Sequence, residues 1–165
     1  MDSMIKIFLE RADNEIFAAE SLKKLSENHE LKNELELPSK ITFYSSVISH
    51  AYYAIFYSAK AILLTKNIRT ASPYIHKKTF DEFEKTFVDS GIIDIKLLEI
   101  YKKMVVRADE LLEIFKNEKW KRGNFTYNTI PQVNKEPAED SLKNSKFFVS
   151  NILKIIQNMR EHETK

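Results

Sequence analysis

Apolar residues recur along most of the chain at spacings of three and four, which is the period of an amphipathic helix. The first such stretch covers residues 3 to 28. A polar connection over residues 29 to 38 follows it, and Pro38 suits the first turn of a new helix over about 39 to 66. The first half of the chain therefore predicts two long helices joined by a polar segment.

A shorter helix is predicted after a loop over residues 67 to 73. Pro73 opens it, and Gly91 is expected to close it, since glycine readily adopts the left-handed conformation found at helix ends. The apolar stripe of this helix is formed by Phe80, Phe83 and Phe87. The stripe indicates a helix that packs on the core through phenylalanine.

Two more long helices complete the pattern, over about 93 to 121 and from Pro137 to about 161, separated by an irregular stretch over 122 to 136. In the last helix, the side chains predicted to point inward are Leu142, Phe147, Val149, Ile152, Leu153 and Ile156. We predict one all-α domain over residues 1–165, an antiparallel up-and-down helical bundle of four long helices plus one short helix. A long irregular stretch in such a domain is either functional or a tolerated surface loop.

The composition of the chain limits the classes of function that it could have. The chain has no cysteine, which excludes disulfides and thiolate metal sites and fits a reducing compartment. The N-terminus lacks the apolar run of a secretory signal, so a cytoplasmic location is expected. The formal net charge of +2 is too small to favour nucleic acid by bulk electrostatics, so such binding would need a local basic patch. No metal-ligand spacing is present in the sequence, and no metal or cofactor is expected.

The stretch 41 to 64 is apolar enough to raise the question of a membrane span. His50 and Lys60 would both lie well inside such a span, where a charge costs about 3 kcal/mol or more. A helix that is apolar on nearly every side is otherwise the central helix of a bundle. We therefore interpret it as a core helix and expect no membrane partner.

The motif SHAYYAIFYSAKAILL over residues 49 to 64 resembles the second-helix signature of small prokaryotic HEPN-domain proteins. The matching residues are Ala51, Tyr52, Tyr53, Ala54, Phe56, Ala59, Lys60, Ala61 and Leu63. His76, just after the loop, and Arg122, at the end of the fourth helix, also match in order and spacing. The resemblance covers about residues 5 to 160 and implies a HEPN bundle that forms a homodimer.

Many HEPN proteins are metal-independent ribonucleases, and the resemblance implies where such chemistry would lie. Their motif is an arginine followed, after four to six residues, by a histidine. Arginine can hold a phosphate with its planar fork of donors, and histidine can move the proton of the 2′-hydroxyl at neutral pH. Arg122 is present here, but the position five residues later is Tyr127. A phenol with a pKa of about 10 is a poor base but a good hydrogen-bond donor and stacking surface.

The candidate nucleotide- or RNA-binding residues are Trp120, Lys121, Arg122, Asn124 and Tyr127, and Arg122 and Tyr127 are also the candidate catalytic pair. Basic residues beside an aromatic ring can track a phosphate backbone and stack on its bases. The alternative for Arg122 and its basic neighbours is a solvated helix end, where a cation meets the negative end of the helix dipole. The alternative for Asn124, which follows Gly123, is a structural role in the turn that ends a helix.

His50 and His76 could replace the missing base if the fold brought either close to Arg122, but a hydrogen-bonded core or interface role suits His50 and an orienting role suits His76. The aromatic residues of the second helix are Tyr44, Tyr52, Tyr53, Phe56 and Tyr57. They are too many to lie on a single contact face of the helix. Part of them is expected to face the bundle and part a second subunit, because tyrosine is favoured at interfaces.

Three functions are consistent with these residues. The first is a HEPN-domain homodimer that binds nucleotide or RNA through Arg122 and pairs with a nucleotidyltransferase in a toxin–antitoxin-like module. The second is an active metal-independent endoribonuclease in which Arg122 and Tyr127 take part in catalysis. The third is a purely structural interaction module.

Overall fold

The computed structural model describes residues 3–121 and 135–163, with side chains described for 3–111 and 135–161. Every regular element in these ranges is helical, which confirms the predicted all-α class. The helices are α1 (Ser3–Glu27), α2 (His29–Glu34), α3 (Tyr44–Leu64), α4 (Ile75–Phe83), α5 (Ile95–Lys121) and α6 (Lys135–Glu163). The four long helices were all predicted, and their bounds differ from the prediction by five residues at most.

The helices alternate in direction, as expected for an up-and-down bundle. Ser26, near the end of α1, accepts a hydrogen bond from the backbone N–H of Phe43, just before α3, while the Phe8 ring of α1 stacks on Tyr57 of α3. Ion pairs between Lys23 and Glu139, and between Glu27 and Lys135, set α1 antiparallel to α6. Helix α5 is antiparallel to α6 as well, since Arg107 pairs with Asp140 whereas Tyr101 contacts Phe148.

The segment predicted as a polar connection contains the short helix α2. The side chain of Asn28 accepts a hydrogen bond from the Leu31 N–H at 3.0 Å, and this cap starts the helix. Lys32 is buried, and its ammonium group donates to the backbone carbonyl of Ser39. The predicted polar connection over residues 29 to 38 therefore includes a short capped helix that the prediction did not contain.

Pro38 does not open α3, which corrects a second prediction. The carbonyl of Pro38 accepts a hydrogen bond from the Ile41 N–H in a turn, and α3 begins only at Tyr44. The hydrogen bond from Phe43 to Ser26, 2.8 Å long, ties the start of α3 to the end of α1. The helix therefore starts where a tertiary contact fixes the chain, five residues after the predicted start.

Helix α4 begins at Ile75, two residues after Pro73, and continues into a π-helical turn over Glu84–Val88. The N–H of Gly91 donates to the carbonyl of Val88, and Gly91 has a φ of +74°. The predicted left-handed glycine is thus present after the end of this helix. In this turn the Asp89 N–H donates to the carbonyl of Glu84, five residues earlier, and the rings of Phe83 and Phe87 are both fully buried.

Helix α3 is the central helix of the core. Its fully buried side chains are Val47, Ala51, Ala54, Ile55, Ala59, Ala61 and Ile62. Small residues let α1 and α6 approach closely, since Ala12, Ala54 and Val149 form one cluster at the junction of these three helices. An aromatic group joins α4, α5 and α6, where Phe83 contacts Tyr101 and Phe148.

In α6 the prediction of inward residues was right for five positions and wrong for Phe147. Phe147 is 50% exposed, whereas its neighbour Phe148 is completely buried. Successive helical residues are rotated by about 100°, so adjacent phenylalanines point to different sides and only one can face the core. Phe148 lies on the inner face because it is adjacent to Val149 and one helical turn from Ile152, which are both buried.

Tyr44–Leu64 is the one helix in the described part of the chain that is long and apolar enough to cross a membrane, judged by length and composition. In its most apolar 18-residue window, 72% of the residues are buried inside the bundle. The central helix of a bundle passes such a test as readily as a membrane span does. Its burial matches the interpretation of this stretch as a core helix.

Candidate functional site

The five residues predicted to bind nucleotide or RNA fall at the boundary of the described structure. Helix α5 ends at Lys121, so Arg122 comes directly after its last residue. Arg122, Asn124 and Tyr127 lie outside the described residues. The side chains of Trp120 and Lys121 also lie outside them. The predicted site therefore stays a prediction.

A second group of candidate side chains is fully described and lies on the outer side of α3. Tyr53, Phe56, Tyr57 and Lys60 follow the spacing i, i+3, i+4 and i+7, so they share one face of the helix. Arg11 of α1 flanks this face on one side, with its guanidinium carbon 5.6 Å from the centre of the Tyr57 ring. His76, at the start of α4, flanks the other side. We call Arg11, Tyr53, Tyr57, Lys60 and His76 the cation–aromatic face.

His76 is held by aromatic neighbours. Its ring centre lies 4.3 Å from that of Phe56 and 5.8 Å from that of Tyr53. The Tyr52 hydroxyl lies 2.9 Å from Nδ1 of His76. Burial, and then the positive charge of Lys60, lower the pKa of His76 below its usual value. The imidazole is therefore neutral at pH 7.

Tyr52 engages one ring nitrogen of this histidine. Burial raises the pKa of Tyr52 strongly, with smaller contributions from Tyr53 and from the negative charge of Asp109. The phenol therefore keeps its proton, and a neutral hydroxyl can either donate to Nδ1 or accept from it. Nε2 is the ring nitrogen that Tyr52 does not engage, and it donates or accepts according to the tautomer.

Lys60 is the second cation of the face. Its ammonium nitrogen lies 4.9 Å from the centre of the Phe8 ring and 5.7 Å from that of Phe56, and it donates to the carbonyl of Thr70 at 3.2 Å. Burial, and then repulsion from Arg11, lower the pKa of Lys60. Within the part of the chain that the structure describes, neither Arg11 nor Lys60 forms an ion pair with a carboxylate. The described partners of these two cations are aromatic rings and the Thr70 carbonyl.

The fold separates His76 from the end of α5. Asp109 is close enough to Tyr52 to raise the pKa of that phenol, so this part of α5 lies near Tyr52 and its partner His76. Lys121 follows twelve residues later, about 18 Å farther along the helix axis. His50 is half-buried and pairs with Glu15 of α1 at 2.5 Å, in line with the predicted hydrogen-bonded role. The cation–aromatic face is thus a location different from the predicted site.

Sequence reasoning anticipated part of this face. The tyrosines were assigned partly to the bundle and partly to an interface; Tyr44 is buried and Tyr53 is 39% exposed, and the interface with a second subunit stays a prediction. Arg11 was missed because it lies on the polar side of α1, and nothing in the local sequence relates it to Tyr57. Its contact depends on the antiparallel register of α1 and α3.

Acidification is expected to destabilise the fold through His76. The pKa of His76 is lower in the folded chain than in the unfolded chain, where it is about 6.5. Its contribution to stability is therefore fully present above pH 6.5 and is lost as the pH falls through the folded-state value. The free energy of unfolding should fall less between pH 7 and pH 5 in His76→Asn than in the wild type. Urea titrations at both pH values measure this, with exposed His29→Asn as the control; equal falls in wild type and His76→Asn would contradict it.

The described helices define a bundle built around one apolar central helix. Sequence comparison finds curated relatives of the chain. It is 32% identical over 132 residues to "Putative toxin MJ0605" of Methanocaldococcus jannaschii, covering 78% of this chain and 85% of the relative. It is 29% identical over 115 residues to "Putative toxin MJ0142" of the same organism, covering 69% of this chain and 66% of the relative.

A third relative is a "UPF0332 protein" of Thermotoga maritima, 24% identical over 115 residues, covering 70% of this chain and 74% of the relative. No family model and no solved structure matches the chain. The identity and coverage shared with MJ0605 place the chain in a family: it belongs to the same family as this M. jannaschii protein.

Proposed function

We propose that the chain is a HEPN-type, toxin-like protein that binds RNA or a nucleotide at the end of α5. Two of its relatives carry the name "Putative toxin", which supports the toxin-like character. The α3 motif, which carries the HEPN resemblance, forms the central helix of an antiparallel bundle, and this supports the HEPN assignment. The homodimer and the nucleotidyltransferase partner are supported by the resemblance.

The observation that carries the proposal is the place of Arg122 in the sequence relative to α5. Helix α5 is continuous over 27 residues, and Arg122 is the residue after its last described one. The HEPN resemblance implies an arginine at this end of this helix. A guanidinium there can hold a phosphate with two parallel hydrogen bonds.

The neighbouring residue types suit binding better than cleavage. Tyr127 and Trp120 offer aromatic surfaces for a base, and Lys121 adds a second positive charge beside Arg122. Asn124 offers both a donor and an acceptor. Tyr127 replaces the histidine of the ribonuclease motif, and a phenol is a poor base at neutral pH. We therefore propose that these residues bind RNA or a nucleotide, with RNA cleavage as the alternative.

Replacing Arg122 with alanine should weaken RNA binding about tenfold, since a charge-assisted hydrogen bond to phosphate contributes about 1.5–3 kcal/mol. Fluorescence anisotropy of a labelled single-stranded RNA, in EDTA, measures this change. The control is Lys154→Ala, which removes one positive charge from an exposed position of α6. Equal affinities in the Arg122 variant and the control would contradict the proposal.

The same samples test the remaining parts of the proposal. Cleavage of the RNA by the wild type in EDTA, lost in Arg122→Ala, would make the chain an endoribonuclease instead of a binding protein. Sedimentation of the purified chain should give a dimer. A monomer at micromolar concentration would contradict the proposed homodimer without bearing on RNA binding.

A further inference from the structure

The cation–aromatic face holds two side-chain cations, Arg11 and Lys60, that form no ion pair with a carboxylate within the described residues. Of the acidic residues of α1 near Arg11 in sequence, Glu10 pairs with Lys6 at 3.7 Å and Glu15 pairs with His50, while Asp13 forms no ion pair with Arg11. Lys60 makes one described hydrogen bond, to the Thr70 carbonyl, and its ammonium group also lies over the Phe8 and Phe56 rings. An anion would neutralise the positive charge of these two side chains.

The aromatic residues beside these cations offer a second kind of contact. Tyr53 is 39% exposed, although its ring is supported by Phe56 and Tyr57 at 6.4 and 6.2 Å between ring centres. A supported, exposed ring is a suitable stacking surface for a nucleobase. Tyr53 and Lys60 are two helical turns apart, about 10 Å along the axis. A nucleobase stacked on Tyr53 and a phosphate bound by Lys60 would thus lie next to each other on one face of the helix.

His76 adds a neutral polar ring to this surface. Tyr52 engages Nδ1 at 2.9 Å, so Nε2 is the ring nitrogen left for a ligand, as donor or acceptor according to the tautomer. A neutral imidazole beside a phosphate or a base edge can form a hydrogen bond without adding a third full charge. The Lys60 charge that disfavours a second proton on His76 also keeps this ring neutral.

We propose that the cation–aromatic face is a second nucleotide-binding site, with the phosphate on Arg11 and Lys60 and the base against Tyr53. The ligand is a nucleoside phosphate, either free or as a unit of an RNA strand. This site is separate from the one proposed at Arg122, since Tyr52, which contacts His76, lies near Asp109 and α5 extends about 18 Å beyond that residue. It does not depend on the proposed function.

The test uses the full chain carrying Arg122→Ala, so that the other proposed site does not contribute. A fluorescent ADP analogue and a labelled six-nucleotide RNA are titrated separately, by anisotropy. Arg11→Gln and Lys60→Met, each added to Arg122→Ala, should each weaken binding about tenfold, and Tyr53→Leu should weaken it several-fold. Lys60→Met keeps the apolar stem that packs on Phe8 and Phe56, which favours retention of the fold. Circular dichroism verifies that each variant is folded.

The two probes distinguish the sources of the ligand. Loss of ADP binding identifies a free-nucleotide site, and loss of RNA binding alone identifies a strand site. The proposal is overturned if Arg122→Ala alone abolishes binding of both probes, a result that would leave the proposed function intact. It is also overturned if the added substitutions change binding no more than Lys154→Met does, or if they alter only the oligomeric state.

Discussion

Replacing Phe83 with alanine should lower the free energy of unfolding by about 3–5 kcal/mol. The Phe83 side chain is completely buried, and its ring centre lies 6.1, 5.7 and 5.6 Å from those of Phe87, Tyr101 and Phe148. Its removal takes away buried apolar surface and leaves a cavity among three rings. These rings belong to different helices, so the cavity cannot close without moving α5 or α6. The loss is a large part of the roughly 5–15 kcal/mol by which domains are stable.

Urea unfolding followed by far-ultraviolet circular dichroism measures this loss. The matched control is Phe147→Ala, the same chemical change at a residue that is 50% exposed, and it should cost less than about 1 kcal/mol. Equal effects at the two positions would show that Phe83 does not occupy the core. A large effect at Phe147 alone would restore the inward orientation first predicted for that residue.

The substitution Ala54→Leu should destabilise the fold by about 2–3 kcal/mol through overpacking. Ala54 is completely buried at the junction of α1, α3 and α6, where it clusters with Ala12 and Val149. Small side chains permit the close approach of these helices. A leucine side chain there must either leave its preferred rotamer or push α1 and α6 away from α3. Both responses store strain in the folded chain.

The same urea titration measures the effect of this change. Ser46→Leu serves as the control because Ser46 is exposed on the same helix and gains a similar side chain. The control should change the free energy of unfolding by less than about 0.5 kcal/mol. An Ala54→Leu variant as stable as the wild type would mean that α1 does not pack closely on α3 at this point.

The fold could be predicted from the sequence because long helices carry periodic patterns. The spacing of apolar residues located α1, α3, α5 and α6, and the phenylalanine stripe located α4. Besides the orientation of Phe147, two local features were predicted wrongly. The helix α2 depends on a cap from Asn28, and the start of α3 depends on the hydrogen bond between Ser26 and Phe43. Neither contact leaves a periodic signal.

The functional surfaces were less predictable than the fold. The cation–aromatic face brings together Arg11, Lys60 and His76 from three helices, and their distances follow from the helix registers. The sequence alone indicated a tyrosine-rich helix but not the cations beside it. For the site at the end of α5, the sequence supplied the residue types and the HEPN resemblance. Its geometry depends on residues 122 to 134, which lie outside the described structure.

Photo-crosslinking tests the central claim, RNA binding at the end of α5, most directly. The purified chain is irradiated with a short single-stranded RNA that contains 4-thiouridine, and mass spectrometry identifies the crosslinked peptides. Crosslinks are expected within residues 120–127, at Trp120 or Tyr127, and Arg122→Ala should reduce them about tenfold. Saturable RNA binding with no crosslink in this segment, or crosslinks there that are unchanged by Arg122→Ala, would contradict the account.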